Sequence, residues 1–164
     1  MAQDERIWRW MRVRGDESRA AFHAWFEAMR DGNTLPFATL VDGVPLGHTS
    51  FLNVREADRV AEIGNTWLAH RAWGTGANTE AKLLLLQHAF EDEGFLRVEF
   101  KTDASNERAC AALAAMPAQF EGIFRKHMLV RGGERRDSAW YSVIDDDWPA
   151  VKAALLARLS RRDA

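Results

Sequence analysis

Trp67-Leu68-Ala69-His70-Arg71-Ala72-Trp73-Gly74-Thr75-Gly76-Ala77-Asn78 is the stretch on which the fold turns. It reads as the end of a β-strand, a turn with two glycines and the start of a helix. The first turn of a helix leaves backbone N–H groups without partners, and the aligned peptide dipoles add positive potential there. Gly74 and Gly76 lack a Cβ, so a phosphate can come close to the main chain, and Arg71 can add charge at the mouth. A tight turn with no ligand would use the same two glycines. Two commoner phosphate loops do not fit. A Walker loop needs Gly-Lys-Ser/Thr, which the chain lacks, and the dinucleotide fingerprint needs a glycine where Thr79 stands.

Upstream, Asp16 to Arg30 carries Ala20, Ala21, Phe22, Trp25, Phe26 and Met29 at helical spacing, and Asp31-Gly32-Asn33 stops that helix. Pro36 to Val41 reads as a strand, Asp42-Gly43 as a hairpin turn, and Val44 to Val54 and Arg59 to Ala69 as the next two strands. Three strands in succession predict an antiparallel meander. Downstream, a helix runs from about Asn78 to Glu93 and Gly94 ends it. Leu96 to Thr102 is a strand. Ser105 to Ala115 is an Ala-rich helix with Ser105 as N-cap and Pro117 as its stop. Gln119 to Val130 and Asp137 to Ile144 form a hairpin about Gly132-Gly133, and Trp148-Pro149 opens the last helix. The expected class is α/β (α+β), with a mixed, mainly antiparallel central sheet flanked by helices.

The chain has 164 residues, 47% of them hydrophobic and 28% charged, which predicts one globular domain over residues 1–164. Lys plus Arg number 22 against 24 Asp plus Glu, so no basic excess points to a nucleic acid. Cys110 is the single cysteine; no intrachain disulfide can form, and a reducing, cytoplasmic location is expected. In an Ala-rich helix it reads as a small buried filler. Residues 1–16 alternate charges with tryptophans, unlike a signal peptide, and no uncharged apolar run, Leu83 to Leu86 included, is long enough to span a bilayer. No membrane partner and no metal are expected.

Arg71-x-x-Gly74-x-Gly76 resembles the pyrophosphate loop of the GCN5-related N-acetyltransferases (GNAT). Further segments are similar to the RimJ/RimL branch of that superfamily: Glu62-Ile63-Gly64, Asn78-x-Glu80-Ala81-Lys82, Phe95-Leu96-Arg97-Val98, Lys101-Thr102-Asp103-x-x-Asn106, Phe120-Glu121-Gly122-x-x-Arg125 and Arg136-Asp137-x-x-x-Tyr141-Ser142. The resemblance implies an acyl-CoA N-acyltransferase fold and transfer of acetyl from acetyl-CoA to a primary amine, directly, in a ternary complex. It implies that the strand before the loop splays from its neighbour. Main-chain groups of Trp67 and Leu68 would hold pantetheine, the amides of Trp73, Gly74, Thr75, Gly76, Ala77 and Asn78 would hold the diphosphate, and Asn106 would touch the pantetheine side. Without the resemblance, Asn106 is equally a helix cap.

Acetyl transfer needs a neutral amine, fixed donors for the oxyanion and a proton for the thiolate. A backbone N–H near Leu68 is the expected oxyanion donor. Strand alternation places Glu62 with Gly64, Thr66 and Leu68 on one face, making it the first candidate base; an ion-paired strand carboxylate is the other reading. His127 is the second candidate, against a packing role. Glu121 reads as structural, and Trp8, Trp10 and Trp25 either line an acceptor site or pack the core. Three features depart from the family. Ala109 and Leu113 stand where relatives carry hydroxyls, and Met116-Pro117-Ala118 replaces Leu-Gly-Ala, so the turn is expected to be rebuilt. The usual first strand and helix are missing ahead of Ile7, so an open sheet edge favours a homodimer. The acceptor is a protein N-terminus or a small-molecule amine. A non-catalytic acyl-CoA-binding module, or a longer acyl group, would use the same fold.

Overall fold

The computed structural model describes residues 4–12, 14–30 and 34–161. Five helices and six strands carry the site: α1 (Glu5–Trp8), α2 (Arg19–Arg30), β1 (Thr34–Val41), β2 (Val44–Arg55), β3 (Val60–Leu68), α3 (Ala77–Gln87), β4 (Arg97–Asp103), α4 (Glu107–Ala114), β5 (Gln119–Val130), β6 (Glu134–Ile144) and α5 (Trp148–Ser160). The single-turn α1 was not expected; the Asp4 carboxylate caps it by accepting the Arg6 N–H at 3.1 Å. The expected stop at Asp31-Gly32-Asn33 lies outside the described residues. Asp42 and Gly43 both hold positive φ, 50° and 74°, the pair a two-residue hairpin demands.

The strands form one sheet in the order β1-β2-β3-β4-β6-β5. The β1–β2–β3 meander is antiparallel, as predicted, and β3 pairs parallel with β4 across the α3 crossover. α3 loosens into a π turn over His88–Asp92 before Gly94, at φ 63°, ends it. One face of the sheet is apolar: Phe51, Ile63, Val98, Phe100 and Val143 pack against Leu83 and Leu86 of α3 and Val151 and Leu155 of α5. The other is polar, with Ser50, Glu62 and Ser138 buried on it, and Met29 and Trp25 of α2 meet Ser50 and His48 there. Trp8 is fully buried, edge-on to Trp25 at 5.1 Å, so it packs the core and does not line a site.

Two local expectations are corrected. Asn106, not Ser105, caps α4: its Oδ1 accepts the Ala109 N–H at 3.2 Å. After α4 the chain turns through Met116-Pro117-Ala118, where the Ala118 N–H returns to the Leu113 carbonyl at 3.4 Å, the long closing bond of a helix-end motif. Proline, with no N–H, forfeits the second bond of that motif. Finally, the alternation along β3 breaks at Asn65, which takes φ 51° where the β2–β3 register slips between His48 and Ser50. One extra residue puts Trp67, opposite His48, on the face of Glu62 and Gly64. Thr66 and Leu68 turn to the other side.

Candidate active site

β3 and β4 pair only over Val60↔Arg97, Ala61↔Val98 and Glu62↔Glu99. Beyond Glu62 the two parallel strands part, and a cavity of about 830 Å³ occupies the gap and continues under α2. The Ala69 N–H crosses to the Leu46 carbonyl of β2 at 2.7 Å. Neighbouring peptides alternate, so the Leu68 N–H turns toward the gap. The Leu68 carbonyl on that side accepts the Trp73 indole N–H at 2.7 Å, which ties the end of β3 to the glycine loop.

Gly74 takes φ 72°, and a Cβ added there would meet nothing within 4 Å; the backbone conformation is what requires glycine. At Gly76 a Cβ would come within 3.2 Å of Leu159, so this glycine lets α5 pack under the loop. Thr75 braces the turn, its hydroxyl donating to the Ala72 carbonyl at 2.8 Å and accepting the Ala77 N–H at 3.2 Å. Gly76 caps α3 without a side-chain acceptor of its own; the Ala77 N–H is held by Thr75, and the amides that follow it in the first turn are left for an anion. Arg71 is exposed and outside the cavity wall; Arg108 and Arg158 are the cations in the wall near the loop. The Arg108 guanidinium lies 3.7 Å from the Trp73 ring centroid, and burial lowers its pKa. Nothing in the linear sequence marks Arg108, because it reaches Trp73 from the far side of the gap.

Glu62 is 2% exposed. Its Oε2 accepts Asn53 Nδ2 at 2.9 Å and Lys101 Nζ at 2.7 Å. Oε1 accepts no hydrogen bond among the described residues and stands 3.1 Å from where a Cβ on Gly64 would be. One carboxylate oxygen is therefore anchored and the other faces the cavity over a glycine. Both readings of Glu62 hold at once: it is ion-paired, and it is presented. Asn106 is buried in the wall and does cap α4 through Oδ1, leaving its Nδ2 donors for a ligand. His127 is half-buried outside the wall, its Nδ1 3.0 Å from the Ser138 hydroxyl; burial first, then Lys101 and Arg136, lower its pKa. Glu121 is held by Ser142 and Arg97, as its structural reading expects. Cys110 is half-buried against the apolar core. Trp10 and Trp25 join Trp67 and Trp73 in the wall.

Lys82 was missed as a site residue. It is buried in the wall on α3, donating to Thr66 Oγ1 at 2.9 Å and Thr49 Oγ1 at 3.4 Å, and burial pushes its pKa from 10.5 to about 7. Unfolded, the same amine holds its proton up to the ordinary lysine range, so the unfolded chain binds more protons between the two values. Folding stability should therefore rise with pH through this window, by up to about 1.4 kcal/mol per pH unit, and be flat with respect to this group below it. Urea melts from pH 6 to 10 should show that rise in the wild type relative to Lys82→Met, which should be the more stable at pH 7. Parallel curves would contradict it.

The donors and acceptors in the wall suit an extended polar ligand: Trp67 Nε1, Asn78 Oδ1 and Arg136 Nε are buried and have no hydrogen-bond partner among the described residues. No group of three or more His, Cys, Asp or Glu among the described residues could hold a metal ion, and no described helix is long and apolar enough to cross a membrane. Residues 1–117 match the acetyltransferase (GNAT) domain family model. The "Putative ribosomal N-acetyltransferase YdaF" of Bacillus subtilis (strain 168) is 30% identical over 128 residues, covering 78% of this chain and 69% of the relative. A GCN5-related N-acetyltransferase from Brucella melitensis superposes with a TM-score of 0.89 at 32% identity, over 96% of this chain and 74% of that one. Mycobacterium smegmatis RimJ, solved with CoA-disulfide, gives 0.73 at 26% identity, over 87% and 69%. With its splayed strands and its glycine loop at the head of α3, the chain belongs to the GNAT acetyltransferase family, on the RimJ-like branch, and is an N-acetyltransferase.

Proposed function

We propose that this chain moves acetyl from acetyl-CoA to a primary amine by direct attack, in a single domain, with the residues around the β3–β4 gap in the following roles. The amides from Trp73 to Asn78 hold the diphosphate, with Arg108 beside them. The free edge of β3 at Trp67 and Leu68, and Asn106 Nδ2 opposite, hold the pantetheine arm. The Leu68 N–H stabilises the oxyanion as the amine attacks the thioester carbonyl. Glu62 Oε1 takes the amine proton, directly or through a water, while Asn53 and Lys101 fix Oε2. Ala109 and Leu113 have no proton for the departing thiolate, and Lys82, whose proton exchanges near neutrality, is the group in the wall that supplies it. The observation that carries this reading is the coincidence, at one cavity, of the strand splay, the glycine-capped helix start and a carboxylate with one free oxygen.

The acceptor is an amine, on a protein or a small molecule. The chain works in the cytoplasm, and exposed Leu35, Phe37 and Leu40 on edge strand β1 favour a homodimer. Release of free thiol from acetyl-CoA across a panel of amines tests the activity. Glu62→Gln should lower kcat by about 10²-fold or more. A retained rate over the whole pH range would take Glu62 out of the base role.

A further inference from the structure

Arg136 lies at the start of β6, 7% exposed, in the wall of the cavity. It makes no ion pair and no hydrogen bond among the described residues, and its Nε is buried without an acceptor. A guanidinium removed from water without a counter-ion is costly, and chains retain one where a ligand supplies the missing charge. The neighbouring carboxylates are already engaged. Asp103 is held by Arg131 Nη2 at 3.4 Å and the Ser105 N–H at 3.0 Å, Asp137 accepts the Lys126 N–H at 2.6 Å, and Glu62 Oε2 is taken by Lys101.

The register places Arg136 relative to the chemistry. On β6, Arg136, Ser138 and Trp140 alternate on one face; Ser138 lies opposite Asp103 and Trp140 opposite Lys101 on β4. Lys101 reaches across to Glu62, so Arg136 shares the polar face that carries the proposed base. Asp103 and, more weakly, Glu62 act electrostatically to hold the charge on the Arg136 guanidinium, with Arg131 opposing them. The same wall carries Arg12 and Lys101, with Glu62 as its acidic group, so the field there favours an anion. Trp67 Nε1, also on this face, is a second buried donor without an acceptor among the described residues. Apolar Met128 and Leu52 complete the surroundings.

We propose that Arg136 seats an anionic group of the acceptor, so that the amine acetylated here belongs to a molecule that also carries a carboxylate. This rests on the acetyltransferase reading of the cavity. Such an amino carboxylate has two sources, a free amino acid with its α-carboxylate or a peptide whose first residue is acidic. The anionic partner is separate from the phosphates of coenzyme A, which the α3 amides and Arg108 receive.

The test is calorimetric titration of the CoA-saturated protein with matched pairs: alanine against alaninamide, and Glu-Ala-amide against Gln-Ala-amide. In one pair the carboxylate member should bind about tenfold or more tighter than its neutral partner. Arg136→Gln should bring that ratio to near one with coenzyme A affinity unchanged, and Arg136→Lys, which keeps the charge, should restore part of it. Equal binding within both pairs, no binding by any member, or a loss in Arg136→Gln that falls on coenzyme A instead would overturn the proposal. Failure of the wild type to bind coenzyme A would sink the acetyltransferase reading separately. The pairs, titrated into the unliganded chain, would still report on Arg136.

Discussion

Lys101→Met should destabilise the protein by roughly 3–5 kcal/mol, the range for a buried pair that loses one partner. Glu62 is 2% exposed, and Lys101 and Asn53 are its partners. Without the ammonium, its buried carboxylate is left with Asn53 alone. Adding Glu62→Gln to Lys101→Met should recover most of the loss, because the stranded charge is gone. Urea melts of the two single variants and the double variant measure this cycle. Additive losses would mean that the 2.7 Å contact is not a working ion pair.

Gly74→Val should weaken coenzyme A binding by roughly 10- to 100-fold while changing the melt much less than Lys101→Met does. A β-branched residue resists φ 72°, and no side-chain clash competes with that cause, since a Cβ at this position meets nothing within 4 Å. The strain is relieved by re-aiming the turn, which moves the amides between Trp73 and Asn78 out of register. Gly74→Ala should fall between wild type and valine. Calorimetric titration with coenzyme A reads all three, and equal affinities would remove the loop from cofactor binding.

The sequence of elements and the loop were legible in the chain because each has a local cause. Asp42-Gly43 demands a hairpin, the glycine turn at Gly74 demands a left-handed residue, and Trp148-Pro149 starts a helix. Local rules failed where partners are distant in sequence. Period-two alternation could not foresee the bulge at Asn65, since the extra residue shows only in the pairing of β3 with β2. Glu62 lines the cavity, yet its two anchors come from β2 and from β4, the latter 39 positions along the chain. Lys82 looked like any polar residue of a helix start, and its burial against Thr49 and Thr66 comes from tertiary packing. Arg136 sat in a recognised motif, but its lack of a partner is a property of the folded sheet.

The most direct measurement is a crystal structure of the protein with coenzyme A. The diphosphate oxygens should lie within hydrogen-bond reach of amides between Trp73 and Asn78, with the pantetheine arm running along the free edge of β3 in the gap beyond Glu62. A diphosphate bound elsewhere, or a β3–β4 gap closed by continued pairing past Glu62 and Glu99, would contradict the account.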